Sequence, residues 1–276
     1  MGGSAQLVGT AAAGGSPEGG FRSRGFVLLP GLLGRQEVGA LRQTCLDHFS
    51  RSRIYLDCGI TQPDAFRNIP QIRWLLKHPP VLAAFRRYCG ERLVYCHHSD
   101  VHLNKYTGWH KDACGSSDFS EDGLRNYAVY KLALYLQDHS SGGPALTVRS
   151  GSHLLPRLHD GEPVEIRPKV GDGILFDCRI SHRGQDLSPH AKVIRSLLPS
   201  QRLRSGLFGG LRKLFAERDK LAVFFTLGRP NQFLDEHVRI SVDRQLKQIG
   251  EQSYELPDGM ASLLGEAGLG WQGLDH

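Results

Sequence analysis

Leu93-Val-Tyr-Cys-His-His-Ser-Asp-Val-His-Leu-Asn104 and Tyr130-Lys-Leu-Ala-Leu-Tyr-Leu-Gln137 decide the fold class of this 276-residue chain. In the first, Leu93, Tyr95, His97, Ser99, Val101 and Leu103 alternate with Val94, Cys96, His98, Asp100, His102 and Asn104. In the second, Leu132, Leu134 and Leu136 alternate with Lys131, Ala133, Tyr135 and Gln137. A period of two places successive side chains on opposite faces of a strand. Further strands are expected at 145–148, 173–177 and 221–227, with Gly, Ser, Asp and Pro between them. Short alternating strands of this kind, following two helices, predict a mainly β protein. The expected architecture is a double-sheet jelly roll with flanking α-helices.

Upstream, Phe26-Val-Leu-Leu-Pro30 reads as a strand, and the Gly31-Leu-Leu-Gly34 turn leads into an amphipathic helix. Val38, Leu41, Cys45, Leu46 and Phe49 mark that helix's buried face. Residues 51–73 read as polar and irregular. Pro79-Pro80 opens a second helix that runs to Tyr88 and ends at Gly90. Residues 1–20 are rich in Gly, Ala and Ser and lack the basic-then-apolar order of a signal peptide, so they read as a disordered tail. Residues 21–276 then form a single domain.

Two features follow the strands. Residues 186–217 are basic and interrupt the alternation, as a lid or insertion does. Within them Leu207-Phe-Gly-Gly-Leu-Arg-Lys-Leu-Phe215 is a short amphipathic helix candidate; its paired glycines and short apolar face disfavour a membrane-surface role. From about residue 228 a C-terminal extension could cover the barrel mouth or form a dimer contact, so a monomer or homodimer is expected.

Composition bounds the rest. With 40% hydrophobic and 22% charged residues the chain is ordinary for a globular protein, and no apolar run approaches eighteen residues, so no membrane span is expected. Cys45, Cys58, Cys89, Cys96, Cys114 and Cys178 include no Cys-x-x-Cys pair. Reduced thiols in a cytoplasmic setting are the expectation. The net charge of +6 is compatible with a generic basic surface, and also with an anionic small-molecule substrate or a nucleic-acid surface. No Lys/Arg tract is interleaved with aromatics, so a nucleic-acid partner is not expected.

His110-Lys111-Asp112 carries the chemistry. In an extended strand residues i and i+2 point the same way, so His110 and Asp112 can bind one metal together. With His182 from another strand they form the two-imidazole, one-carboxylate facial set suited to Fe(II), which leaves coordination positions open. A rival pair, His98-Ser99-Asp100, lies in mid-strand beside His102 and Asn104 and reads either as a pocket wall or as a half-exposed strand face. His153, His159 and His190 compete with His182, but only His182 follows an apolar strand opened by Gly171-Asp172-Gly173.

Four blocks in order complete the reading. They are Phe21-Arg-Ser-Arg-Gly-Phe-Val-Leu-Leu-Pro-Gly-Leu-Leu33, Trp109-His-Lys-Asp-Ala113, Gly142-Gly-Pro-Ala-Leu-Thr-Val-Arg-Ser-Gly-Ser-His153 and Gly171-Asp-Gly-Ile-Leu-Phe-Asp177. From Phe21 to Gly228 the chain resembles the phytanoyl-CoA dioxygenase family of Fe(II)/2-oxoglutarate-dependent oxygenases. The resemblance implies a cupin-like double-stranded β-helix that uses Fe(II), 2-oxoglutarate and O2. It implies His110, Asp112 and His182 as metal ligands, and places Gly151, Ser152 and His153 in a structural turn. With Asp112 present, hydroxylation of a small metabolite, with release of succinate and CO2, or another oxidative outcome is expected over halogenation. The family's 2-oxoglutarate-binding Arg, about a dozen residues after the distal His, is displaced here by the insertion. Arg218 is the first candidate and Lys220 the second, while Arg195 keeps the spacing but lacks a following strand. Asn104, Gln137 and Tyr135 complete the expected 2-oxoglutarate contacts. Two other readings stay open: a non-catalytic jelly-roll binding protein or scaffold, and an oxygenase whose basic 186–217 segment contacts a macromolecule.

Overall fold

The computed structural model describes residues 6–7, 16–56, 59–112, 121–141, 143, 145–184, 189–214 and 219–271. Its strands are β1 (Gln6–Leu7), β2 (Phe26–Leu29), β3 (Ile54–Leu56), β4 (Gly59–Pro63), β5 (Val94–Leu103) and β6 (Val129–Tyr135), then β7 (Leu146–Ser150) and β8 (Glu162–Ile166). They continue with β9 (Gly173–Asp177), β10 (His182–Arg183), β11 (Leu221–Gly228) and β12 (Gly270–Trp271). The larger sheet runs β2-β9-β6-β11-β5-β4-β3, with β12 added in parallel to β5; the smaller runs β1-β8-β7-β10. The two segments quoted first, β5 and β6, both pair antiparallel with β11. The mainly sheet-built, jelly-roll expectation holds.

The alternation in β6 sorts the core as expected. Leu132, Leu134 and Leu136 pack with Val223 and Phe225 against buried residues of the helices Arg35–Arg51 and Pro79–Cys89 and the 3-10 helix Pro70–Lys77. Ala133 and Tyr135 face the other way, joining Ile174, Phe176 and Ala222 against Leu146, Val148 and Ile166 of the smaller sheet. Each fully buried Leu or Phe is worth about 1.5–3 kcal/mol, so a one-residue slip of β6, which would turn these leucines away from the helices and bury Lys131 among them, is strongly disfavoured.

Three regions differ from the reading of the sequence. Residues 51–73, expected to be irregular, hold the β3–β4 hairpin, and β4 pairs with β5. Their order comes from the ladder and from Phe66, Ile69 and Ile72, which are buried without any strand-like alternation to announce them. A helix spans Pro17–Arg24, capped by the Ser16 side chain and closed by Gly25 at φ 82°, and Gln6–Leu7 pairs with β8. The strand lies within the stretch read as a tail, and the helix begins in it. The C-terminal extension supplies an 18-residue helix, Gln232–Ile249, whose Leu234, Val238, Val242 and Leu246 pack on Val94, Cys96 and Val129.

That helix also fixes a break in β5. Four steps along β5, from Tyr95 to Ser99, match two along β11, and His97 sits at φ 49°. Buried Gln245 staples the bulge: its amide donates to the His97 carbonyl (2.7 Å), and its oxygen accepts from the Asp64 and Ser99 N–H groups (3.1 and 3.4 Å). Bulges of this kind leave backbone groups unpaired, and a buried amide side chain is one way to satisfy them. No helix among the described residues is long and apolar enough to cross a membrane.

Candidate metal centre

The backbone brings the three expected ligands together. His110 and His182 form an isolated antiparallel bridge, each N–H donating to the other's carbonyl at 2.9 Å. On one side of it the Gly184 N–H donates to the Thr107 carbonyl (3.1 Å); on the other the Asp112 N–H donates to the Cys178 carbonyl (2.9 Å). The segments before and after the break at Gly108 are thereby held against β10. Lys111 points the other way and donates to the carbonyls of Ser152 and Leu155 (2.8 and 2.7 Å), as the period of two requires.

One ligand atom from each of His110, Asp112 and His182 can be chosen so that all lie within 4.8 Å of one another. The Nδ1 of His110 faces the Gly108 carbonyl (2.8 Å) and that of His182 the Ile180 carbonyl (3.0 Å). A carbonyl can only accept, so each Nδ1 carries the proton and each Nε2 presents its lone pair. Both Nε2 atoms face Asp112, at 3.7 Å from Oδ1 and 3.4 Å from Oδ2. Metal-binding imidazoles are oriented by acceptors of this kind. Burial, with the neighbouring His110 adding to it, pushes the His182 pKa down to about 3, so that ring is neutral and ready to ligate. Burial alone would raise the Asp112 carboxyl. The Lys131 ammonium, then His182 and His110, outweigh it and hold the group well below the usual carboxylate range.

Lys131 is a residue the sequence analysis did not single out. It lies on the inward face of β6, buried, with Nζ 2.8 Å from Asp112 Oδ2. A cation on the inward side of an otherwise apolar central strand was the available signal.

The triad opens into a cavity of about 360 Å³. Asp100, His102, Tyr106, Trp109, Tyr135, Phe176 and Phe224 line it, together with the cations Lys105, Lys131, Arg195, Lys220 and Arg244. Lys220, just before β11, is buried; its ammonium donates to the Ala145 carbonyl (2.7 Å) and stands 5.4 Å from the Tyr135 ring centroid. Arg195 comes from the helix Pro189–Leu197 and Arg244 from Gln232–Ile249. Arg218, the first candidate for the 2-oxoglutarate cation, lies outside the described residues.

Two residues expected to contact 2-oxoglutarate are engaged elsewhere. Asn104 and Gln137 are not part of the cavity wall. The Asn104 side-chain oxygen accepts from the Lys220 N–H (2.8 Å), and that of Gln137 accepts from the Leu221 N–H (2.7 Å). Both amides are used to fasten the start of β11. The rival pair is a wall, in part. His98 is buried, accepting at Nδ1 from the Thr226 hydroxyl (2.6 Å) and donating from Nε2 to Asp100 (3.1 Å). Only Asp100 and His102 of that strand face reach the cavity. Burial and Lys131 push His98 down to about 4, and burial and Lys105 do the same to His102, so both rings are neutral near pH 7. His153 donates from Nε2 to the Arg22 carbonyl (2.9 Å), beside Gly151 at φ 78°, in the turn expected of it.

No family model matches the chain, and no curated protein does. Solved structures do match. The non-heme α-ketoglutarate-dependent epimerase SnoN from nogalamycin biosynthesis is 20% identical, with 79% of this chain and 87% of SnoN covered at a TM-score of 0.57. The carbocyclase SnoK of the same biosynthesis is 16% identical over 77% and 82% of the two chains, TM-score 0.55. HygX from Streptomyces hygroscopicus, with nickel and 2-oxoglutarate bound, is 16% identical over 76% and 84%, TM-score 0.54. At these identities the likeness is one of fold: the chain has the jelly-roll fold of non-heme 2-oxoglutarate-dependent enzymes.

Proposed function

We propose that this chain is an Fe(II)/2-oxoglutarate-dependent dioxygenase that hydroxylates an unactivated C–H bond of a small anionic metabolite, releasing succinate and CO2. The observation that carries this is the convergence of two Nε2 atoms and one carboxylate at the head of the cavity, with both Nδ1 atoms anchored to carbonyls. Two imidazoles and a carboxylate on one side of an open cavity are the donor set of a facial Fe(II) site. Solved structures of this fold, HygX with nickel and SnoN with Fe3+, hold 2-oxoglutarate as well. The donor set here fits such a metal, and His110, Asp112 and His182 would hold it. When bound, iron with 2-oxoglutarate and O2 supplies the oxidising power that no side chain of the protein has.

The chain's own residues supply the rest. Lys131 neutralises the buried Asp112 carboxylate and fixes its direction. Lys220, buried beside Tyr135 at the start of β11 with its ammonium on the Ala145 carbonyl, is the cation for the far carboxylate of 2-oxoglutarate; Lys131 is paired with a carboxylate already, that of Asp112. A lysine meets a carboxylate as a point charge rather than as a two-pronged fork, so Lys220→Arg is not a neutral exchange. Lys105, Arg195 and Arg244 on the cavity wall suit an anionic group on the substrate, and Tyr106, Trp109 and Phe224 its apolar part.

The test is succinate release from 2-oxoglutarate under O2 by iron-loaded protein, without added substrate, together with anaerobic titration of the visible band formed by Fe(II) and 2-oxoglutarate. His110→Ala and Asp112→Ala should abolish both, and Lys220→Ala should raise the 2-oxoglutarate concentration needed for each. Undiminished turnover in the two ligand variants would refute the metal assignment. A substrate product heavier by one oxygen atom would separate hydroxylation from the epimerase and carbocyclase outcomes named for SnoN and SnoK.

A further inference from the structure

Between Leu187 and Ala216 the chain carries six Lys/Arg residues and no Asp or Glu. The described residues fold there into the helices Pro189–Leu197 and Gln201–Leu214, packed on one another beside the cavity mouth. Arg195 of the first helix lines the cavity, and Phe208 of the second is buried against the cavity residue Tyr106. Four apolar side chains of the pair face out. Val193 and Leu197 are 56% and 71% exposed, and Leu203 and Leu207 are 60% and 46% exposed. In each helix the pair is spaced i, i+4 and so shares a face. These four make up half of the eight exposed large hydrophobic residues among the described residues. Leu203, Leu207 and Leu211 continue with Tyr55 of β3 into an apolar groove of about 660 Å³. Gly206 and Gly210 leave open space in it, as a Cβ at either position would meet no atom within 4 Å.

A helix that displays leucines to water beside an unbroken basic sequence has two independent attractions to one kind of surface. Its apolar side chains favour the acyl boundary of a bilayer, and its cations favour anionic headgroups. The glycine pair and short apolar face that weaken one helix in isolation matter less here, because a second helix with its own exposed pair packs against it. A protein partner with an acidic face would explain the charge but not the outward leucines. A second copy of this chain would bring the same six cations against themselves.

We propose that this helix pair docks the protein reversibly on an anionic lipid surface, with the cavity mouth beside the contact. The test is co-flotation of the full-length protein with vesicles of phosphatidylcholine alone and of phosphatidylcholine with phosphatidylglycerol. Binding is expected only to the anionic vesicles and should fall as salt rises. Lys192→Gln with Arg202→Gln removes two cations and should weaken partitioning on the order of thirtyfold. Leu203→Glu with Leu207→Glu alters exposed residues only and should abolish binding, while substrate-free succinate release and the melting temperature stay unchanged. Failure to bind anionic vesicles would overturn the proposal, as would equal binding to neutral ones. So would a dimer in solution that Leu203→Glu with Leu207→Glu dissociates, because the face would then belong to a second copy. None of these outcomes bears on the metal centre, whose own assays do not involve lipid.

Discussion

Asp64 should make the fold weaken as pH rises, and Asp64→Asn should remove this contribution. Asp64 precedes the short helix Ala65–Asn68 in a left-handed conformation (φ 49°, ψ 55°) and is 1% exposed, with no side-chain partner for either carboxylate oxygen among the described residues. Burial pushes its pKa up to about 7 against the pull of Arg67, and Asp100 and Glu251 add to the rise. In the unfolded chain the same carboxyl titrates near 3.9. Between about pH 4 and 7 the folded state therefore holds the extra proton, and folding stability falls as pH increases. Three units at 1.36 kcal/mol each amount to about 4 kcal/mol of penalty, fully present above pH 7 and under roughly 1 kcal/mol near pH 4. Asparagine keeps the shape, accepts the left-handed backbone and carries no charge. In urea titrations, Asp64→Asn should be more stable than the parent by up to about 4 kcal/mol at pH 8, on the order of 10 °C in melting temperature. The two proteins should converge towards pH 4. An advantage of the same size at both pH values, or none at pH 8, would show that Asp64 is not a buried carboxyl forced to ionise.

Other perturbations follow the same logic. Lys131→Met removes the cation 2.8 Å from Asp112; the metal-free protein should lose about 3–5 kcal/mol, and added Fe(II) or Ni(II) should raise its melting temperature more than the parent's. Gln245→Ala deprives three backbone groups of the β5 bulge of their partner and should cost on the order of 2–4 kcal/mol in a denaturant titration. Gly171→Ala places a Cβ 2.3 Å from the Leu33 carbonyl oxygen at φ +91°, and a loss above about 2 kcal/mol is expected from the shifted denaturation midpoint.

Much of the frame was legible because side-chain period is a local property. The face of β6 that carries Leu132, Leu134 and Leu136 followed from parity alone, and parity also placed His110 and Asp112 together with Lys111 turned away. The helix Arg35–Arg51 announced itself through its apolar spacing. The β3–β4 hairpin did not, since what orders it is the ladder to β5, a neighbour more than thirty residues away. The bonds that Asn104 and Gln137 make were not legible for a related reason. Their polarity on an inward-facing strand end was visible, but the N–H groups of Lys220 and Leu221 that consume it come from the far side of the 186–217 insertion.

The same division applies to the candidate metal centre and its surroundings. The sequence by itself determined the donor types, the i, i+2 geometry of His110 and Asp112, and the basic character of residues 186–217. Only the tertiary structure decided that His182 crosses to them as a bridge, that Lys131 rather than a neighbour in sequence neutralises Asp112, and that Arg244 reaches the cavity from the C-terminal helix. It also decided that two weak amphipathic helices combine beside the cavity mouth with their leucines outward. Periodicity and donor chemistry are set within a few residues of chain. Charge pairing and burial depend on distances in space, and those are settled when strands far apart in sequence share a ladder.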